Sequence, residues 1–222
     1  MKKILYVTNV NKLTDPGVFK KIEAQEKSLC SLGFEVKKTY FEGDDFYLSN
    51  EYISTEKQSI FVKIKNRFVY PVQIINLAIN GNFDVIYIRK SYINKTFIKF
   101  IDDLKCINKK VIIEIPTYPY EKQLRGFFKK SLYQVERIYS KKLLDRVDNI
   151  FYFGEAGDEI WGIPATRLNN GIDVNSVKLK KTRNIDGDIN LLGVANLEFW
   201  HGYERLIHSI YNLDNDSRIK IR

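Results

Sequence analysis

The sequence predicts an α/β fold, a parallel sheet flanked by helices, and three features of the chain predict it. Short apolar runs of strand length recur: KILYVTNV near the N-terminus, DVIYIR at 84–89, VIIEIP at 111–116 and NIFYFG at 149–154. Stretches with apolar residues near helical spacing separate them, which is the alternation of β-α-β units. A run such as DVIYIR is apolar on both sides, the pattern of a strand covered by helices above and below.

Taken in order, the first strand is bounded by Asn and by Asp15-Pro16-Gly17, and the segment VFKKIEAQEKSLCSLG after it places Val18, Ile22, Leu29 and Leu32 near one helical face. Gly33 closes that helix and FEVKKTYF resumes as a second strand, completing a β-α-β unit within the first 41 residues. Residues 56–80 read as an apolar and basic helical stretch, bent or interrupted near Pro71. Strand 84–89, helix 93–106, strand 111–116, a long basic helix over 122–146 and strand 149–154 follow. A short helix over Asp158–Trp161 then leads to a last strand ending at Asn169-Asn170-Gly171.

The segment 175–188 carries no apolar period and reads as a linker. Beyond it, Ile189–Val194 is a strand and Gly202–Tyr211 an amphipathic helix, with a third element barely begun at Arg222. The expected organisation is therefore a domain over 1–174, a linker over 175–188 and the start of a second domain over 189–222. Some 34 residues are too few to enclose a core, so this piece is expected to dock on the first domain or to pair with another chain, a homo-oligomer included.

The 222 residues are 44% hydrophobic and 28% charged, the balance of a folded domain, which excludes a disordered chain. No apolar run reaches the ~18 residues of a membrane span, and the N-terminal apolar stretch is too short for a signal peptide. The expected compartment is the cytoplasm. Cys30 and Cys106 show no CxxC or Cys/His spacing, so they read as buried free thiols, with no metal or cofactor expected.

The net charge is +9, but Lys, Ile and Asn are abundant throughout, so position says more than the total. The densest patch is 122–146, where Lys122, Arg125, Lys129, Lys130, Arg137, Lys141, Lys142 and Arg146 meet only Glu136 and Asp145. It is either a solvated helix face or the contact surface of an anionic partner. A nucleic-acid binder needs a basic stripe with interleaved stacking aromatics, and only this helix offers part of one, so nucleic acid is not an expected partner.

Ligands of open parallel sheets sit at the carboxyl ends of the strands, which singles out the loops containing Gly17, Arg89, Glu114 to Tyr120, and Asn170 with Gly171. The amides after Asp15-Pro16-Gly17 either hold an anion or sugar hydroxyl or simply start a helix. Glu114 stands inside an apolar strand, where a carboxylate is costly unless paired. Arg89 ends another strand and is the expected partner, in a pair that is either structural or substrate-binding. Tyr118 and Tyr120 either stack on a sugar ring or fill the loop.

The first strand with DPGVFKKI, GFEV after the first helix, NNGIDV near the domain junction and the restart ANLEFWHGYERLI, in that order, resemble the acceptor-side domain of a GT-B glycosyltransferase of the family 4 type. The resemblance spans nearly the whole chain. It implies two Rossmann-like domains, a nucleotide-sugar donor, retention of configuration and no metal requirement, with a glycan or lipid-linked polysaccharide acceptor. In its terms Gly17, Arg89, Glu114, Thr117 and Tyr118 line the acceptor cleft, with Glu114 the first carboxylate to test for catalysis. Asn170, Gly171, Asn196 and His201 face the donor.

The chain departs from the family where Gly-Arg-Leu, three residues, then Lys-Gly is common and the Arg and Lys hold the donor diphosphate. Here Ala195-Asn196-Leu197 precedes His201-Gly202, so a neutral amide and a titrating imidazole replace two fixed charges and weaken that grip. The family's Glu-x7-Glu motif is absent before Arg222, which implies that the fragment alone is inactive. A second reading is a non-catalytic binding subunit derived from such an enzyme. Relatives with lipid-linked acceptors dock on the membrane through a basic, aromatic-studded surface, a role for which Arg125, Phe127, Phe128, Lys129 and Lys130 are suited. That implies a peripheral position at the inner face of the plasma membrane.

Overall fold

The computed structural model describes residues 1–55, 70, 72–121, 126–171, 193 and 201–211. The chain divides into two compact units, Met1–Ile172 and Asp173–Arg222. In the first, β1 (Lys3–Val7), α1 (Pro16–Ser31) and β2 (Glu35–Glu42) form the opening β-α-β unit, followed by β3 (Asp45–Leu48) and β4 (Glu51–Thr55). Next come α2 (Val72–Asn80), β5 (Val85–Arg89), α3 (Lys95–Cys106), β6 (Lys110–Tyr118), α4 (Phe127–Ser140), which runs into a 3-10 turn at Lys141–Leu143, and β7 (Asn149–Gly154). The unit ends on β8 (Glu159–Ile160) and β9 (Ile163–Leu168).

The strands form a nine-stranded sheet in the order β4-β3-β2-β1-β5-β6-β7-β9-β8. The six from β2 to β9 are parallel, and the β3–β4 hairpin and β8 add antiparallel edges. Helices flank it, so the first unit is a doubly wound α/β sheet. The chain steps from β1 to β2 in one direction, then returns to the other side of β1 for β5, β6 and β7. Successive right-handed crossovers in opposite directions lay helices on opposite faces and open a crevice between the carboxyl ends of β1 and β5.

Each face has its own core. Leu5, Val7, Ile86, Ile88, Ile113 and Ile150 point to the face covered by α2 and α3, through Ile74, Ala78, Phe97, Ile101 and Leu104. Ile4, Tyr6, Val36 and Tyr87 point to the other face, against Ile22, Val18 and Leu29 of α1. The second face is smaller and more polar. Asn94 caps α3 by accepting the Phe97 amide at 3.0 Å, which starts that helix one residue after the cap.

Residues 158–161 are not helical. Glu159 and Ile160 pair with Pro164 and Ile163, and the two residues between them, Trp161 (φ 54°) and Gly162 (φ 80°), both adopt the left-handed backbone that a two-residue hairpin of matching twist requires. The short run EIWGIP carries too few residues for its period to distinguish hairpin from helix. Cys30 and Cys106 are exposed, contrary to expectation. Both sit at helix C-terminal ends, where the buried faces of α1 (Phe19, Ile22) and α3 (Ile101, Leu104) have turned away from them.

The basic helix expected over 122–146 is α-helical only to Ser140 in α4: the 3-10 turn follows, and Asp145 takes a left-handed φ of 64° in the turn before β7. Residues 56–69, Pro71, 122–125 and the linker 175–188 lie outside the described residues, as does most of the restart at 189–200. In the second unit, α5 (Tyr203–Tyr211) follows His201 and Gly202, and Tyr203 packs on Gly193 so closely that a Cβ there would stand 2.7 Å from the ring. No helix among the described residues is long and apolar enough to cross a membrane.

Candidate functional site

The crevice at the switch point is built from three adjacent parallel strands in register. Tyr6 stands beside Tyr87, and Arg89 beside Glu114. Glu114 is completely buried. Its Oε1 accepts from Arg89 Nη1, and its Oε2 accepts from Tyr87 Oη at 2.8 Å, Gln25 Nε2 at 2.8 Å and Tyr6 Oη at 3.1 Å. The single Tyr6 proton is shared with Gln25 Oε1 at 2.8 Å. A charge inside the sheet is tolerable only with such a complete set of donors, one of them cationic.

This arrangement fixes what each group can do. With both oxygens engaged and no solvent contact, Glu114 takes no proton from a substrate hydroxyl unless it first loses a donor. Its effect is to hold Arg89, whose side chain is 11% exposed at the end of β5. Burial first, and then the Glu114 charge, push the Tyr6 and Tyr87 phenols well above their ordinary range, so both remain donors.

Lys21, one turn before Gln25 on α1, extends the cluster toward the crevice rim. Its Nζ donates to Asn170 Oδ1 at 2.9 Å and lies 3.4 Å from the centre of the Phe153 ring. Burial lowers its pKa, opposed by Glu114 and reinforced by Arg89. Asn170 and Gly171 are exposed, and Asn170 thus joins the Arg89–Glu114 neighbourhood through Lys21.

The remaining residues expected at the site are distributed differently. Gly17 lies exposed in the first turn of α1, with no atom within 4 Å of where a Cβ would stand. Thr117 is exposed and bonds the carbonyl of Pro116. Tyr118 follows an irregularity in the β6–β7 pairing and packs with Tyr120 against the core of the α2/α3 face, beside Trp161 and Tyr152. The structure therefore brings Arg89, Glu114 and Asn170 together and sends Tyr118 to the other side of the sheet. His201 is exposed in the second unit, and Asn196 and Arg125 lie outside the described residues.

On the Tyr118 side, Lys90 is buried against Glu136 of α4 at 2.6 Å and lies 4.3 Å from the centre of the Tyr120 ring. Glu136 Oε1 also accepts the Ile93 amide at 3.3 Å. These bonds fasten α4 to the β5–α3 loop. The opposite side of α4 stays open: Phe127 is 88% exposed, and Val135, Ile138, Lys129 and Lys130 are exposed, while the Phe128 side chain lies outside the described residues.

Sequence reasoning missed Tyr6, Tyr87, Gln25 and Lys21. The signal available for the two tyrosines was a phenol within an otherwise aliphatic strand, since a buried hydroxyl needs a partner. Gln25 and Lys21 carried none, because either residue is ordinary on an exposed helix face.

The buried phenols make stability depend on alkaline pH. Tyr6, Tyr70, Tyr87 and Tyr120 all have pKa values raised chiefly by burial. An unfolded tyrosine titrates near pH ~10, so above that pH the folded chain binds more protons than the unfolded one, and stability present below it is lost. Each buried one removes about 1.4 kcal/mol per pH unit, about 4 kcal/mol per unit for Tyr6, Tyr70 and Tyr87 together, and the half-buried Tyr120 adds less. Lys90, its pKa lowered chiefly by burial, acts in the opposite sense: stability rises with pH between its folded and its ordinary pKa. Urea denaturation from pH 9 to 11 should show a midpoint that falls steeply above pH ~10, and a flat midpoint would contradict this account.

Comparison of the chain with protein-family models, with curated proteins and with solved structures gives no match.

Proposed function

We propose that this chain is the acceptor-side part of a retaining GT-B glycosyltransferase of the family 4 type, transferring a sugar from a nucleotide-sugar to a glycan or lipid-linked acceptor. The observation that carries this reading is the doubly wound sheet with a polar crevice at its switch point, where Arg89 is held by Glu114 beside Lys21 and Asn170. In this role Arg89 presents hydrogen-bond donors to an acceptor hydroxyl or acidic group, and Glu114, Tyr6, Tyr87 and Gln25 hold it in place. Thr117, exposed after Glu114, lies on the acceptor side, and Asn170 and Gly171 lie toward the donor. No metal takes part.

The same reading makes the open side of α4 an anionic-membrane contact. Exposed Phe127, Val135 and Ile138 supply apolar anchors, and Lys129, Lys130, Arg137, Lys141 and Lys142 supply charge. The test incubates the chain, and the product of its whole reading frame, with a panel of nucleotide sugars and with lipid-linked acceptors in anionic vesicles. Transfer by the whole product is expected, together with vesicle sedimentation at low salt that is lost at high salt. Absence of hydrolysis and transfer with every nucleotide sugar sinks the transferase reading in favour of a binding subunit, and salt-insensitive or absent sedimentation removes the membrane contact.

A further inference from the structure

The charges around the crevice do not balance. Glu114 spends both oxygens on Arg89, Tyr6, Tyr87 and Gln25, so its negative charge offsets Arg89. Lys21 is then left with neutral partners, the Asn170 carbonyl oxygen and the Phe153 ring, and among the described residues no carboxylate lies within ion-pair distance of it. A half-buried ammonium with only neutral partners leaves a surplus positive charge beside the carboxyl ends of the central strands. With its Oδ1 turned to Lys21, the Asn170 amide group keeps its two N–H donors for a ligand.

We propose that Lys21 and the side-chain amide of Asn170 form an oxyanion-binding point that takes a phosphoryl or carboxylate group of the substrate. Both residues precede Ile172, so the point is complete within the first unit. An incoming oxyanion supplies the counter-charge the cluster lacks, in a partly desolvated setting where a charge-assisted hydrogen bond is strong. Burial lowers the affinity of Lys21 for its proton, and a bound oxyanion restores it. The proposal rests on the crevice being the substrate site. It adds to the transferase reading the residues of the first unit that hold the acidic group of its substrate.

The experiment titrates the 222-residue chain with inorganic phosphate and separately with acetate, against chloride at equal ionic strength, following the Asn170 side-chain amide and the Gly171 amide by ¹H–¹⁵N correlation. Saturable shifts specific to phosphate or to acetate are expected, and the stronger arm tells a phosphoryl from a carboxylate ligand. Lys21→Gln should weaken binding about tenfold or more, and Lys21→Arg should keep most of it, as loss and retention of one charge-assisted contact imply. Lys99→Gln, on the exposed Lys99–Asp103 pair of α3, should change nothing. Shifts no larger than with chloride, or unaltered in a folded Lys21→Gln variant, overturn the proposal while leaving the transferase reading in place. Binding that depends on Lys21 without turnover of any nucleotide sugar keeps it and removes only that reading.

Discussion

Glu114→Gln is expected to destabilise the fold by about 3 kcal/mol or more, the usual effect of removing one member of a buried ion pair. The volume of the side chain hardly changes, so the loss is electrostatic and in hydrogen bonding. One Glu114 oxygen faces the Arg89 guanidinium and the other faces donors from Tyr6, Tyr87 and Gln25. Whichever way a glutamine amide is turned, its NH₂ group meets a donor, and the Arg89 charge is left in the sheet without a counter-ion. For a chain of this size the midpoint of thermal unfolding should fall by about 10 °C.

Alongside Glu114→Gln, thermal and urea unfolding of Glu114→Leu, Arg89→Leu and their double variant would measure the coupling. The double variant should recover part of the single losses, because no unpaired charge remains. Additive losses, or a Glu114→Gln midpoint close to that of the parent, would mean that the pair does not hold the crevice together. If the folded Glu114→Gln protein keeps its turnover in a transfer assay, Glu114 acts in packing alone.

Gly154→Ala is the second change with a large expected effect. Gly154 ends β7 with φ 131°, a conformation that residues with a Cβ rarely adopt, and a Cβ there would stand 1.9 Å from the carbonyl oxygen of Tyr118. That oxygen also accepts the Glu155 amide at 2.9 Å, so the strands cannot part without losing a backbone bond. Backbone strain and the clash together should cost about 3 kcal/mol or more. The near-ultraviolet circular dichroism should change with it, because Tyr118 packs against Tyr120, Tyr152 and Trp161. Gly157→Ala is the control: no atom lies within 4 Å of its Cβ position, and its effect should stay within about 0.5 kcal/mol. Equal midpoints for the two variants would show that the close approach of Gly154 to Tyr118 is dispensable.

The sequence by itself determined the parallel core. Apolar runs bounded by glycine, asparagine and proline located β1, β2, β5, β6 and β7 to within about three residues, because a strand covered on both faces has little choice but aliphatic side chains. It also marked Glu114 as a carboxylate in need of a partner and Arg89 as that partner, since burying a charge is costly wherever it occurs. Elements with little buried surface left a weaker mark. The edge strands β3, β4 and β8 are short, partly exposed and set by turn geometry, so no period announced them, whereas β9 was marked by the Asn-Asn-Gly that follows it.

Only the tertiary structure decided who shares the site. Tyr6, Gln25, Tyr87 and Glu114 are up to 108 residues apart, and the register of parallel strands, together with the rotation of α1 over them, brings their polar tips to one carboxylate. The same geometry separated neighbours in sequence. Glu114 and Tyr118 are four residues apart, yet the irregular pairing after Ile115 turns Tyr118 to the opposite face, away from Arg89. Local pattern follows from local burial, but a site assembled across strands depends on register and on the face each strand presents, and those are properties of the whole sheet.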